Sequence, residues 1–169
     1  SLDVNVWYWM DAYILGRYPK TALAYLKNQF GIELDIREGD FDILKSGRPD
    51  FVGVNYYQSH TFAANVPNAE AGEPDQFKHV KNEHLERTSW EWEIDPTGLR
   101  IALRRITSRY DIPIMITENG LGEYDSLTED REVHDSYRIE YLENHITAVQ
   151  NAIEDGCQVI GYCTWSFTD

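Results

Sequence analysis

The sequence predicts an α/β fold assembled from right-handed β-α units, suited to a (β/α)8 barrel or to a doubly wound sheet. Three observations predict it. Runs apolar on both faces occur at 51–57, 112–117 and 157–165, as in strands buried within a parallel sheet. Segments with apolar residues at helical spacing separate them. Pro, Gly and Asp stand at the junctions, where chains start and stop elements.

Taken in order, residues 21–30 predict a helix after Tyr18-Pro19, since Pro suits the entry to a first helical turn. Arg48-Pro49-Asp50 introduces the first strand, 51–57. The stretch 59–92 is polar and irregular, and an uninterrupted loop of that length carries function or motion. Asp95-Pro96 reads as an N-cap followed by Pro at the first helical position, and Leu99, Leu103, Ile106 and Tyr110 then recur at helical spacing. The second strand is 112–117. From Asp135 onward Ile139, Leu142, Ile146, Val149 and Ile153 predict another helix, which Gly156 closes. The third strand is 157–165, with Cys157 and Cys163 expected on one buried face as free thiols. The helix residues Leu99, Leu103, Ile106, Ile139, Leu142, Ile146 and Val149 are expected to form the layer packed on the strands. Three strands cannot close a barrel, which needs eight strands and about 250 residues.

Bulk properties narrow the function. The 169 residues are 42% hydrophobic, enough for a packed core. Acidic residues outnumber basic ones 29 to 15, for a net charge of −14. That balance repels nucleic acid and anionic membrane surfaces. Two cysteines are too few for a disulfide framework, and no Cys/His spacing suits a metal. His60, His79 and His84 lie in or beside the long irregular stretch without implying a ligand set, so no metal and no cofactor is expected. No basic and apolar leader opens the sequence, and no apolar run approaches the roughly 20 residues of a membrane span. These features lead to the expectation of a cytoplasmic protein.

The chemistry-bearing residues gather where the strands end. The first ends Asn55-Tyr56-Tyr57, and strict alternation puts Asn55 and Tyr57 on one face. The second ends Thr117-Glu118-Asn119-Gly120 and the third Thr164-Trp165-Ser166. Catalytic groups of β/α barrels stand at such C-terminal strand ends. An amide, a phenol, a carboxylate and an indole suit a sugar site. The carboxylate acts at the anomeric carbon, the phenol holds the carboxylate, the amide binds a hydroxyl and the indole faces the pyranose ring. Each has a plainer reading in isolation: Glu118 as a helix cap or solvated loop residue, Tyr57 and Trp165 as packing aromatics.

The wording of these strand ends resembles glycoside hydrolase family 1. Ile116-Thr117-Glu118-Asn119-Gly120 looks like that family's nucleophile signature, 50–57 like its sixth-strand motif and 161–169 like its eighth. Met10-Asp11 through Gly16-Arg17-Tyr18-Pro19 resembles the segment before strand six. The likeness runs in the family's order along nearly the whole chain. It implies the C-terminal portion of one (β/α)8 catalytic domain, residues 1–169, covering roughly strands six to eight. It implies catalytic roles for Glu118, as nucleophile, and for Tyr57, as its hydrogen-bond partner. Asn55 would lie near the sugar, and Trp165 would form the floor of its site. The reaction implied is hydrolysis by double displacement.

The stretches 90–100, 120–125 and 164–169 are most similar to bacterial 6-phospho-β-glucosidases, which implies a small 6-phosphorylated β-glycoside as substrate. An unphosphorylated β-glucoside or β-galactoside, or a carbohydrate-binding fragment without activity, is the alternative. Homo-oligomerisation is left open. The family's acid/base motif, Asn-Glu-Pro, is absent from residues 1–169. Asn82-Glu83 is followed by His84 and reads as solvated loop, Glu123 and Asp125 as loop residues, and Asp95 as a cap. Residues 1–169 alone are therefore expected to lack glycosidase activity. Trp90 and Trp92 read as packing residues, with an aglycone-lining role as the alternative.

Overall fold

The computed structural model of the chain describes residues 3–63 and 78–166. They divide into two compact units, one from the stretches up to Val52 and Arg109–Ile112, the other from Gly53–Ser108 and from Pro113 onward.

In the first unit, π-helical turns Asp3–Trp7 and Asp11–Leu15 flank one α turn, α1 (Tyr8–Met10). Then come α2 (Lys20–Phe30), which follows Pro19 as expected, and α3 (Asp40–Ser46). Periodicity does not reveal α3, because the helix buries none of its seven residues. Its signals are local: Asp40 and Asp42 in the first turn complement the helix dipole. The anchor of this unit is Asp11, only 3% exposed. The Arg109 guanidinium grips it with two bonds of 2.7 and 2.6 Å, and the Tyr110 hydroxyl donates a third of 2.6 Å. Arg109 also lies over the Trp7 ring, 5.0 Å from its centroid. Burial raises the Asp11 pKa, but these bonds and the charges of Arg109 and Arg17 outweigh it, so the carboxyl stays below its ordinary value.

The second unit holds the β-α pattern. Its main sheet has strands β1 (Val52–Tyr56), β4 (Ile114–Asn119) and β5 (Val159–Thr164), in that spatial order. Helices α4 (Pro96–Tyr110) and α5 (Ser136–Glu154) connect them. β4 and β5 run parallel. The long stretch after β1 is not featureless: β2 (Thr61–Ala63) pairs antiparallel with β3 (Lys78–Val80). The rest of that stretch between β2 and β3, and the last three residues of the eighth-strand-like motif, lie outside the described residues.

Asp95 caps α4 as expected, since its Oδ1 accepts from the Gly98 N–H at 2.8 Å. Leu99, Leu103, Ile106 and Tyr110 are buried, as their spacing predicts. Gly156, at φ 97°, turns the chain out of α5, and the Cys157 N–H then reaches the Ala152 carbonyl at 3.0 Å. Arg100 fastens this end of α5 to α4 through two bonds to Asp155, 2.7 and 2.8 Å.

Two expectations need correction. The buried face of α5 is Tyr141, His145, Ala148, Val149 and Ala152. Ile139, Ile146 and Ile153 are exposed, and Leu142 is only partly covered. The inward stripe is built on an aromatic, an imidazole and alanines, so a count of branched aliphatics selects the neighbouring stripe. The cysteines are both free, but only Cys157 is buried; Cys163 is exposed. Cys157 precedes β5, and the pairings Ile114–Val159 and Met115–Gly161 leave Ile160 as an extra residue that breaks simple alternation.

The Asp11 anchor yields a pH-dependent expectation. Because its folded pKa is depressed, its contribution is full above the unfolded value of about 3.9 and is lost as pH falls through the folded one. Asp11→Asn should cost about 2 kcal/mol near neutrality. In denaturant titrations the gap between variant and parent should narrow only in acid below pH ~4. A gap of the same size at pH 7 and pH 2 would contradict this account.

Candidate active site

β4 carries the carboxylate, and its register explains where that group goes. Ile116 pairs with Tyr162, and Asn119 with Thr164. Three steps along β4 thus match two along β5, which is a β-bulge at Thr117-Glu118. Ile114 and Ile116 are buried, and uninterrupted alternation would send Glu118 to their side. Instead Asn119 takes the buried side, 0% exposed, and Glu118 is half-buried and accepts a hydrogen bond from the Tyr57 hydroxyl.

Tyr57 follows β1 directly. Asn55, two residues before it, meets the second strand as well: the Thr117 hydroxyl donates to Asn55 Oδ1 at 2.6 Å. Both residues are exposed. The Tyr57 ring is held by two indoles, Trp165 at 5.6 Å and 89° and Trp92 at 5.4 Å and 65°. Trp165 keeps 44% of its surface exposed beside this contact. Trp90 continues the row against Trp92 at 5.6 Å, and Tyr124 against Trp90 at 5.9 Å. The Tyr57 phenol is pushed up to about 12, first by burial and then by its bond to Glu118 and that group's charge. It therefore keeps its proton at neutral pH and remains a donor to the carboxylate.

Trp165 is positioned from below. Its N–H donates to the Asn119 carbonyl at 2.8 Å, and its own carbonyl lies so close to Gly120 that an added Cβ would come within 1.9 Å of it. Only glycine permits that approach. Four consecutive residues thus have four different jobs. Thr117 bonds Asn55, Glu118 bonds Tyr57, Asn119 is buried, and Gly120 makes room for Trp165.

The geometry brings Glu118, Tyr57 and Trp165 into one cluster and sets Asn55 beside Thr117 on the neighbouring strand. Sequence reasoning missed the Thr117 contact, although a hydroxyl two residues past Met115 on an otherwise apolar strand was a usable signal. Trp92, read mainly as packing, packs against the Tyr57 ring.

Among the described residues, Glu83, Glu123, Asp125, Asp95 and Glu93 have structural partners or face solvent. Glu83 is exposed. Glu123 accepts from the Ser89 N–H at 3.1 Å. Asp125 accepts from the Tyr137 hydroxyl and from Arg138 at 3.3 Å. Asp95 is the α4 cap, bonded also by the Ser59 hydroxyl at 2.5 Å. Glu93 is 1% exposed and held by Arg87 at 2.8 Å and by the Asn82 N–H at 3.0 Å. Among the described residues no group of three His, Cys, Asp or Glu side chains could hold a metal, and no helix is long and apolar enough to cross a membrane.

Comparison with known proteins gives a consistent result. The family profile described as Glycosyl hydrolase family 1 matches residues 1–169. An aryl-phospho-β-D-glucosidase of Bacillus subtilis is 49% identical, over 98% of this chain and 37% of the relative. A 6-phospho-β-glucosidase of Clostridium longisporum is 38% identical, over 96% of this chain and 35% of the relative. A solved family 1 β-glucosidase from Thermotoga maritima superposes with a TM-score of 0.79 at 29% identity, over 95% of this chain and 34% of that one. The chain therefore spans little more than a third of the length of the curated relatives it matches, and its β-α units are an arc of a (β/α)8 barrel.

Gly120→Ala tests the close approach directly. The new methyl must displace the Trp165 backbone, which should cost about 1–3 kcal/mol and change the near-ultraviolet aromatic circular dichroism. An unchanged spectrum with an unchanged unfolding midpoint would show that the Trp165 backbone is not held there.

Proposed function

Since the chain belongs to glycosyl hydrolase family 1, we propose that it is the nucleophile-bearing part of a retaining β-glycosidase that cleaves 6-phosphorylated β-glucosides. The observation that carries the reading is the hydrogen bond from Tyr57 to Glu118 beside the Trp165 indole. A protonated phenol aims one carboxylate oxygen, and the other is left to attack. Glu118 adds to the anomeric carbon, the aglycone departs, and water releases the glycosyl-enzyme with overall retention. Asn55, fixed through Thr117, offers its amide N–H to a sugar hydroxyl. Trp165 presents an apolar face to the ring.

Retention needs a second carboxyl about 5–5.5 Å from the nucleophile, to protonate the leaving oxygen and later activate water. The acidic residues described above are engaged by other groups or face solvent, and the Asn-Glu-Pro motif does not occur in residues 1–169. The acid/base therefore belongs to a part of the barrel outside residues 1–169, and these residues form one portion of a single catalytic domain. On this reading residues 1–169 by themselves bind weakly and do not turn over.

The phosphorylated substrate is supported by the names of the curated relatives, one of them 49% identical. An unphosphorylated β-glucoside is the second reading, favoured by the Thermotoga β-glucosidase at 29% identity. The difference in identity leads us to prefer the phosphorylated one. A sugar phosphate is charged and does not cross a bilayer unaided, so the enzyme belongs in the cytoplasm, where such a substrate is retained.

Three measurements on the full-length polypeptide test this. A 2-fluoro-glycoside should label the peptide containing Glu118, as read by mass spectrometry. Glu118→Gln should lower kcat by about 10⁴-fold or more, and Tyr57→Phe by about 10²-fold. Nitrophenyl 6-phospho-β-glucoside should be hydrolysed at least about a hundredfold faster than its unphosphorylated counterpart, because a site built for a charged group loses most when it stays empty. Label on another carboxylate would remove Glu118 from the nucleophile role, and equal rates on the two substrates would remove the phosphate.

A further inference from the structure

Asn119, the residue after the carboxylate, makes more strand-end contacts than any catalytic candidate, and it does so from the buried side. Its Nδ2 donates to the Tyr56 carbonyl at the end of β1, 2.7 Å, and to the Tyr141 hydroxyl on α5, 3.1 Å. Its Oδ1 accepts from the Tyr162 hydroxyl of β5 at 2.5 Å. Its backbone carbonyl accepts from the Trp165 N–H at 2.8 Å. One side chain and its own peptide thus join the ends of all three strands and the helix behind them.

Tyr141 completes the connection. Its hydroxyl donates to the Tyr57 carbonyl at 3.0 Å while accepting from Asn119. The same phenol therefore holds the backbone of the residue that bonds Glu118. Its ring is fixed in turn by His145, stacked at 3.8 Å and 24°. That imidazole is 0% exposed and donates from Nδ1 to the Tyr141 carbonyl at 2.8 Å. Burial holds its pKa down, so it stays a neutral, flat packing surface.

We propose that Asn119 and Tyr141 are positioning residues for catalysis: they set the Tyr57 and Glu118 backbones at the separation their hydrogen bond requires. The proposal rests on the reading of Glu118 as nucleophile. Neither residue touches substrate; both act through the strand ends. Misplacement of reacting groups by a fraction of an ångström to one ångström costs about one to two orders of magnitude in rate, so loss of these contacts should show in the bond-forming step and not in binding.

The test uses Tyr141→Phe in the full-length enzyme, which keeps the ring stacked on His145 and removes only the hydroxyl. Asn119→Asp, which keeps the shape and the acceptor for Tyr162 but loses the donors, is the second variant. Pre-steady-state trapping by a 2-fluoro-glycoside separates the binding constant from the rate of glycosyl-enzyme formation. Tyr141→Phe should slow formation by about tenfold with the binding constant unchanged. In the Tyr57→Phe background the same change should have less than a twofold effect, because the group it positions is gone.

Equal slowing in both backgrounds, or a loss confined to binding, would overturn the proposal. If Tyr141→Phe folds poorly, the same comparison made with Asn119→Asp decides. Label found on a residue other than Glu118 in the unaltered enzyme would refute the nucleophile assignment instead, and is read independently of either variant.

Discussion

Everything at the mouth of this sheet depends on one extra residue in β4. Between the pairings Ile116–Tyr162 and Asn119–Thr164, β4 spends three steps against two in β5. Without that bulge, Glu118 would follow Ile114 and Ile116 into the helix layer, where an unpaired carboxylate is costly. With it, the charged residue meets Tyr57, and its polar neighbour enters the core in its place. Asn119 tolerates burial because both polar atoms of its amide have partners, with two donor contacts and one acceptor contact. The irregularity that brings Glu118 to Tyr57 therefore also places the Asn119 amide in the core.

The outer loops continue the same logic. The aromatic row Tyr57, Trp92, Trp90 and Tyr124 leads from the carboxylate toward exposed surface. Glu93, one residue after Trp92, is buried and paired with Arg87, which closes the local turn between them. The charge pair is separate from the Glu118 contact and serves to hold the loop's shape. Asp95 has a similar place: it caps α4 and binds Ser59 near β1, so it ties the helix start to the strand exit.

Much of this was legible in the residue order. The three sheet strands, α2, α4, α5, the Asp95 cap and the Gly156 exit follow from period and punctuation. So does the clustering of Glu118, Tyr57 and Trp165, because strand ends in β-α units converge. What stayed hidden has definite causes. α3 buries no side chain and leaves no periodic trace. The inward face of α5 carries Tyr141 and His145, which hydropathy alone assigns to neither side. Bulges in β4 and β5 cannot be read from alternation, since they are departures from it. Cys163 was misassigned for that reason.

Thr-Glu-Asn-Gly is informative because its four positions answer to unrelated demands. Three of them are locked: one by the aimed carboxylate, one by a hydrogen-bonded amide, one by a missing Cβ. Thr117 differs, since it is exposed and its hydroxyl meets Asn55 on the neighbouring strand. A change at Thr117 or Asn55 would therefore alter the tie between β1 and β4 at an exposed position, without opening a cavity in the core.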